Sequence, residues 1–118
     1  MSNVLVIGAV AAGLKAAAKF RRCDAKAKIT VVDKSEVVSY GACGLPYFVA
    51  GDVDHINHLM QTTAGAMRNP AYFKNIKDID VKVKTLATKI DRAAKKVTVK
   101  NLDTGVEEDL SYDKLVIA

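Results

Sequence analysis

The sequence predicts an α/β fold, in which helices cover a parallel sheet and a β-meander follows. A short apolar run, Asn3–Ile7, ends at a glycine and leads into an alanine-rich stretch and a second, β-branched run at 28–33. Near-continuous apolar runs of this length are typical of strands buried on both faces of a parallel sheet. From Ile79 onward the hydrophobic period changes to two, which is typical of half-buried antiparallel strands.

The first elements predict a βαβ unit. A glycine turn at 8–13 follows the first strand, and a helix runs from residue 14 to about residue 23 before the second strand. Such a unit is right-handed and its strands are parallel.

The middle of the chain is less regular. Residues 43–51 predict a short helix with Pro46 in its first turn and Gly51 as its stop. Residues 52–63 are polar and predict a loop. Residues 63–73 predict a helix that Pro70 interrupts or bends.

The last part of the chain predicts strands at 81–85, 88–91, 96–100, 106–110 and 114–118. A hairpin turn is expected at 103–105, where Asp-Thr-Gly separates two of these runs. The final run stops inside a strand, so we expect the chain to be a piece of a longer protein, incomplete at its C-terminus.

Composition narrows the function classes. The chain has 118 residues, enough for one domain, with a net charge of +5 and a pI near 9.3. Its lysines are scattered among acids with no aromatic platform, which argues against nucleic-acid binding. No apolar run approaches the roughly 20 residues of a membrane span, and no basic leader precedes the first strand, so we expect a cytoplasmic protein with no membrane partner. His55 and His58 have no fixed third ligand, so no metal is expected.

The glycine turn has the features of a dinucleotide site. Gly8 and Gly13 frame a strand-to-helix turn, where backbone amides and a helix start suit a pyrophosphate. Asp33 follows about 20 residues after the turn, where a carboxylate accepts hydrogen bonds from a ribose. Val10 replaces the usual central glycine and weakens this interpretation. The alternative is a tight turn with no ligand.

Two cysteines are too few for a disulfide scaffold. Cys43 heads the predicted short helix and has glycines nearby, a position that favours a reactive thiolate. The alternative is an inert, buried thiol in a non-catalytic nucleotide-binding module. Cys23, at the end of the first predicted helix, is interpreted as a packing residue.

Residues 39–47 (SYGACGLPY), downstream of a Gly-x-Val-x-x-Gly turn, closely resemble the coenzyme A-disulfide reductase branch of the pyridine nucleotide-disulfide oxidoreductases. That branch includes NADH oxidases and persulfide or polysulfide reductases, and valine in the turn is at home there. Residues 112–118 resemble the family segment that continues over the flavin. The resemblance covers essentially the whole chain. It implies that residues 1–118 are the N-terminal part of a Rossmann-like FAD-binding domain, without the nicotinamide and dimerisation domains.

The resemblance also implies roles for individual residues. The cofactor positions are Gly8, Ala12 and Gly13 for the FAD pyrophosphate, Asp33 for the adenosine ribose, Lys34 beside it, and the backbone of Ala87 at the adenine. Cys43 would face the flavin ring as the single redox-active cysteine.

The substrate positions that the resemblance implies are Lys15, Lys19, Arg22, Ser39, Ala42 and Lys77. The first three fall on one face of the predicted helix and suit the phosphates of coenzyme A. An ordinary solvated basic face is the alternative. Relatives often carry asparagine where this chain has Ala42, so one substrate hydrogen bond is missing.

The expected activity is reduction of a small-molecule disulfide, persulfide or polysulfide, with NADH or NADPH as co-substrate, by a homodimeric full-length enzyme. The alternative within the family is an NADH oxidase or peroxidase in which Cys43 cycles through a sulfenic acid. Because later segments complete the FAD domain in this family, we expect residues 1–118 alone to lack turnover and to bind FAD weakly or not at all.

Overall fold

The computed structural model of the chain describes residues 2–62 and 64–118. In chain order its strands and α-helices are β1 (Asn3–Ile7), α1 (Ala12–Cys23), β2 (Lys28–Val32), α2 (Leu45–Ala50), α3 (Pro70–Lys77), β3 (Asp80–Lys82), β4 (Thr85–Asp91), β5 (Lys96–Asn101), β6 (Glu107–Ser111) and β7 (Lys114–Ile117). Two 3-10 turns, Ala42–Gly44 and Ile56–Leu59, flank α2. Over the described residues, no helix combines the length and the apolar character needed to cross a bilayer.

Four strands form a parallel sheet in the order β3-β2-β1-β7, which confirms the predicted α/β class. β1 is central, with Val4 opposite Ile29 of β2 and Leu5 opposite Leu115 of β7. The chain thus leaves β1 towards one side of the sheet and returns on the other side with β7. Such a reversal of strand order opens a crevice at the carboxyl ends of the strands, where α/β proteins bind ligands.

The two faces of this sheet are buried by different elements. Because side chains alternate along a strand, Val4 and Val6 share one buried cluster with Leu14 and Ala17 of α1. Leu5 belongs to a second buried cluster, with Val32, Val97, Val99 and Tyr112. β1 is therefore buried on both sides, as its near-continuous apolar sequence predicts.

The antiparallel sheet β4-β5-β6 confirms the predicted meander. Its hairpin between β5 and β6 turns where the sequence predicts: the N–H of Gly105 donates to the carbonyl of Asn101 at 2.7 Å, and Gly105 has a φ of 73°. β5 of this sheet packs on the face of the parallel sheet that Leu5 and Val32 occupy, and β4 lies close to the carboxyl ends of β1 and β2.

The single strand predicted at 81–85 is wrong, because residues 81 and 82 belong to the parallel sheet and residue 85 belongs to the antiparallel one. β3 pairs with β2 in the parallel sheet, whereas β4 begins the meander at Thr85. Lys84, with a φ of 49°, turns the chain between them. The N–H of Thr85 then donates to the carbonyl of Asp33 at 2.8 Å. A period of two marks strand residues without showing which sheet they join.

The helix predicted at 63–73 is also wrong, because α3 begins at Pro70. The side chain of Asn69 caps it by accepting the N–H of Tyr72 at 2.8 Å, and a proline in the first turn loses no helical hydrogen bond. Thr63, where the predicted helix begins, and Met1 lie outside the described residues. α1 begins at Ala12, slightly before the predicted start.

Candidate active site

The glycine turn brings α1 very close to the parallel sheet. Gly8 has a φ of 108° and donates its N–H to the carbonyl of Val32 at 2.8 Å. A β-carbon on Gly8 would overlap the carbonyl oxygen of Ala118, and one on Gly13 would overlap the carbonyl oxygen of Gly8. Only glycine fits at either position without a shift of the backbone, so the turn has the tight bend and the close helix–sheet packing that the first and last glycines provide in dinucleotide sites.

The start of α1 presents backbone amides at this edge of the sheet. The first helical hydrogen bond runs from the N–H of Lys15 to the carbonyl of Ala11 at 3.0 Å, so the N–H groups of Ala12, Gly13 and Leu14 have no acceptor in the helix. Among the described residues no side chain caps this end. Because the helix dipole adds a partial positive charge there, the arrangement fits a pyrophosphate.

Asp33 lies at the neighbouring strand end, directly after β2. One carboxylate oxygen accepts the N–H of Ala9 at 2.7 Å, and the other accepts the N–H and the hydroxyl of Ser35 at 2.8 and 2.7 Å. Burial by itself would raise the pKa of Asp33, but the hydrogen bonds from Ser35 and Ala9 and the charge of Lys34 outweigh it and lower the pKa. The ionised carboxylate keeps acceptor capacity on the oxygen that faces Ala9, which fits a ribose hydroxyl.

A pocket of about 220 Å³ lies beside this carboxylate. Gly8, Asp33, Lys34 and Ala87 all line it, so the fold brings together four predicted cofactor positions that are distant in sequence. The other two lie at the start of α1, where Gly13 is buried under the turn and Ala12 lines a larger neighbouring pocket.

Cys43 lies in the 3-10 turn Ala42–Gly44 and is exposed to solvent. The prediction that it heads the helix is wrong by a short distance, because α2 begins at Leu45; the stop at Gly51, with a φ of 90°, is confirmed. The segment is held at the glycine turn, because the N–H of Ser39 donates to the carbonyl of Ala9 at 2.8 Å. Cys43 is therefore an accessible thiol that follows four residues after this contact with the glycine turn.

A larger pocket, of about 880 Å³, lies between α1, the segment before Cys43 and the start and end of α3. Of the predicted substrate positions, Lys15, Arg22, Ser39 and Lys77 line it. Lys19 and Ala42 do not line it, although both are exposed. Among the residues that the structure describes, none that lines this pocket is an aspartate or a glutamate. A pocket with several cations and no acid fits an anionic ligand.

Arg68, which no sequence pattern marks, lines the same pocket with the hydroxyl-bearing Tyr40, Thr62 and Tyr72. Arg68 lies in an irregular loop, alone, with no periodic pattern or motif around it. No local signal marks such a residue, because its place in the site depends on how the loop folds against α1.

The structure also shows where Cys23 and His55 lie. Cys23 is exposed, so its interpretation as a packing residue is wrong: the buried face of α1 consists of Gly13, Leu14, Ala17 and Ala18. The ring of His55 accepts the N–H of Asn57 at 3.1 Å and caps the turn Ile56–Leu59. Within residues 2–62 and 64–118, no group of three or more histidine, cysteine or acidic side chains is placed to hold a metal ion.

Comparison with protein families gives one match that spans nearly the whole chain. The model described as "Pyridine nucleotide-disulphide oxidoreductase" matches residues 2–118. The coenzyme A disulfide reductase of Staphylococcus haemolyticus is 36% identical over 118 residues, which cover 100% of this chain and 26% of that protein.

Solved structures resemble the chain closely. An NAD-dependent persulfide reductase from A. fulgidus gives a TM-score of 0.94 at 53% identity, over 98% of this chain and 21% of that one. The water-forming NADH oxidase from Lactobacillus brevis gives a TM-score of 0.88 at 26% identity, over 100% of this chain and 25% of that one. The chain thus spans about a quarter of the length of these relatives.

Proposed function

Because this chain belongs to the pyridine nucleotide-disulphide oxidoreductase family, we propose that its full-length protein is an FAD-dependent NAD(P)H:disulfide oxidoreductase with Cys43 as its single redox-active cysteine. The observation that carries this proposal is an exposed Cys43 that comes soon after Ser39, Tyr40 and Gly41, which line the cationic pocket and are tied to the glycine turn by the hydrogen bond from Ser39 to Ala9. The remaining length of the relatives leaves room for nicotinamide and dimerisation domains, and we propose that the full-length protein has both.

The residues around the glycine turn fit FAD. Ala12 and Gly13 would bind its pyrophosphate through backbone amides, Gly8 would hold the tight turn against which the pyrophosphate lies, and Asp33 would accept a ribose hydroxyl. Lys34 and the backbone of Ala87 would lie against the adenosine, since both line the small pocket beside Asp33. When bound, FAD would relay two electrons from the nicotinamide cofactor to sulfur.

Cys43 would carry the covalent chemistry. Its thiolate attacks one sulfur of a disulfide RSSR, which releases RS⁻ and leaves the mixed disulfide Cys43–S–S–R. Two electrons and one proton then cleave that bond, release RSH and regenerate the thiolate. The sum is NAD(P)H and RSSR giving NAD(P)⁺, RS⁻ and RSH. Cys23 lies in a different part of the fold, at the end of α1, so it is not placed to resolve the mixed disulfide.

We propose that the substrate carries coenzyme A, as a disulfide or persulfide. Lys15, Arg22 and Lys77 give the large pocket its positive charge, and Ser39 adds a hydroxyl near Cys43. The relatives named for coenzyme A disulfide and for persulfide reduction favour this class of acceptor. Lys19 would contribute at most long-range attraction, because it lies outside the pocket lining.

A second candidate is an oxidase or peroxidase in which Cys43 cycles through a sulfenic acid. The similarity to a water-forming NADH oxidase favours it. The two candidates differ in their electron acceptor. Turnover of the full-length protein with coenzyme A disulfide, polysulfide, peroxide and oxygen, compared at equal NADH or NADPH, separates them.

The test of the proposed role is Cys43→Ser in the full-length protein, with Cys23→Ser as the matched control, since both thiols are exposed. We expect Cys43→Ser to retain its flavin and its reduction by NAD(P)H but to lose disulfide turnover. Cys23→Ser should behave as the wild type. Disulfide turnover that persists in Cys43→Ser would refute the role.

A further inference from the structure

Arg68 lies on a loop that the backbone holds in a defined shape. The N–H of Arg68 donates to the carbonyl of Met60 at 2.9 Å, and Gln61 forms an isolated antiparallel bridge with Met67. Within this small hairpin, the N–H of Thr62 donates to the carbonyl of Ala66 at 2.8 Å. The loop therefore fixes where the Arg68 side chain enters the large pocket.

The guanidinium of Arg68 is incompletely satisfied. One terminal nitrogen donates to the carbonyl of Gln61 at 2.5 Å, which anchors the group. Nε is closed off from solvent and has no hydrogen-bond acceptor among the described residues. Arg21 shows the opposite case, because it donates to four backbone carbonyls and lies 3.9 Å from the carboxylate of Asp78.

Like Arg68, the other cations of the large pocket have no carboxylate partner in the part of the chain that the structure describes. Within residues 2–62 and 64–118, Lys15, Arg22, Lys77 and Arg68 form no ion pair, whereas Lys74 of α3 lies 3.0 Å from the carboxylate of Asp80. Four like charges around one pocket without an acid repel one another. A partly buried cation without a counter-ion costs free energy, and an anionic ligand would remove that cost.

We propose that Arg68 binds a phosphate group of the substrate and is a specificity-determining residue for phosphorylated disulfides. This inference rests on the proposed function and adds a residue to it. Nε is closed off and one terminal nitrogen is anchored to the carbonyl of Gln61, so the terminal N–H groups not used in that bond are the donors left for a phosphate oxygen. The anchor holds these donors in place before the substrate arrives, so little side-chain entropy is lost on binding, whereas the flexible lysines of the pocket act as point charges.

The experiment compares the full-length protein with Arg68→Met, Arg68→Lys and the charge-matched control Arg92→Met, whose residue lies exposed in the turn between β4 and β5. The substrates are coenzyme A disulfide and pantethine, which contains the same disulfide without phosphates. Calorimetric titration with coenzyme A gives a second readout that does not depend on turnover.

We expect Arg68→Met to raise KM for coenzyme A disulfide and the Kd for coenzyme A about tenfold or more, the usual effect of losing a hydrogen bond to a charged group. The kcat for coenzyme A disulfide should stay within about twofold of the wild-type value, because a phosphate contact that is equally strong in the ground state and the transition state affects KM and not kcat. The kcat/KM for pantethine should also stay within about twofold, because pantethine has no phosphate. Arg68→Lys should restore part of the loss, and Arg92→Met should change neither value.

An equal loss with both substrates, or no loss with either, would overturn the proposal, since the first indicates a structural role and the second no role. Failure of the proposed function gives a different result. If the wild type reduces no disulfide but binds coenzyme A and Arg68→Met weakens that binding, Arg68 remains a phosphate-binding residue. If the wild type binds no coenzyme A, the Arg68 proposal is wrong.

Discussion

Replacing glycine by alanine inside a helix usually stabilises a protein, but Gly13→Ala should destabilise this one. Gly13 lies in the first turn of α1, and alanine is favoured over glycine inside helices by about 1 kcal/mol. Here, however, the new β-carbon would overlap the carbonyl oxygen of Gly8 and lie 3.0 Å from Cγ1 of Val6. The nearest obstacle is backbone, so either α1 or the turn must move.

The expected size follows from these two opposing effects. Overpacking against a rigid neighbour costs about 1–3 kcal/mol, and the upper end applies because the obstacle is a backbone carbonyl. After subtraction of the helix-propensity gain, Gly13→Ala should destabilise the domain by about 2 kcal/mol. The same movement displaces the amides at the start of α1, and each lost hydrogen bond to a charged phosphate weakens FAD binding about tenfold or more.

The assay is urea unfolding of the flavin-free full-length protein, followed by far-ultraviolet circular dichroism, together with the flavin content of the purified holoprotein. Gly41→Ala is the matched control, because Gly41 has a φ of −78° and its β-carbon would lie 3.6 Å from its nearest neighbour, the carbonyl oxygen of Leu59. We expect a lower urea midpoint and less flavin in Gly13→Ala alone. Equal stability and flavin content in the two variants would refute the reasoning about the turn.

Two further predictions concern charges at the site. Arg22→Met should raise KM for coenzyme A disulfide about tenfold, whereas Lys19→Met should change it less than about twofold, because only Arg22 lines the pocket. Steady-state kinetics measures both values. Equal effects of the two substitutions would contradict this prediction, since they would mean that the whole basic helix face attracts the substrate. Folding lowers the pKa of Asp33 below its ordinary 3.8, so its carboxylate stabilises the fold above that pH, and this stabilisation is lost as the pH falls through the folded-state pKa. The difference in urea midpoint between wild type and Asp33→Asn should therefore shrink from pH 7 to pH 3, and a constant difference would contradict the assignment.

Local patterns predicted most of the fold. β1, β2 and the hairpin at Gly105 are marked by apolar runs and by a turn residue, which depend on neighbours in sequence. The same holds for the glycine turn, since the spacing of Gly8 and Gly13 reflects one strand-to-helix junction. Boundaries that depend on distant contacts were not predictable in this way, as the split between β3 and β4 at Lys84 shows.

The cationic pocket shows where sequence reasoning ends. Helical spacing places Lys15, Lys19 and Arg22 on one face, but it does not show which of them a neighbouring loop will cover. The structure places Lys15 and Arg22 in the lining and leaves Lys19 out. Arg68 joins them only through a hairpin that no local pattern predicts.

The central claim is that Cys43 alone forms the covalent link to the substrate. It is tested most directly by reducing the full-length protein with NAD(P)H, removing the excess, incubating it with coenzyme A disulfide, digesting it with trypsin and locating the adduct by mass spectrometry. The two cysteines fall on different tryptic peptides, 23–26 and 35–68. We predict a coenzyme A mixed disulfide on peptide 35–68 that NAD(P)H removes. An adduct on Cys23 to the same extent, or one on Cys43 that NAD(P)H does not remove, would contradict the account.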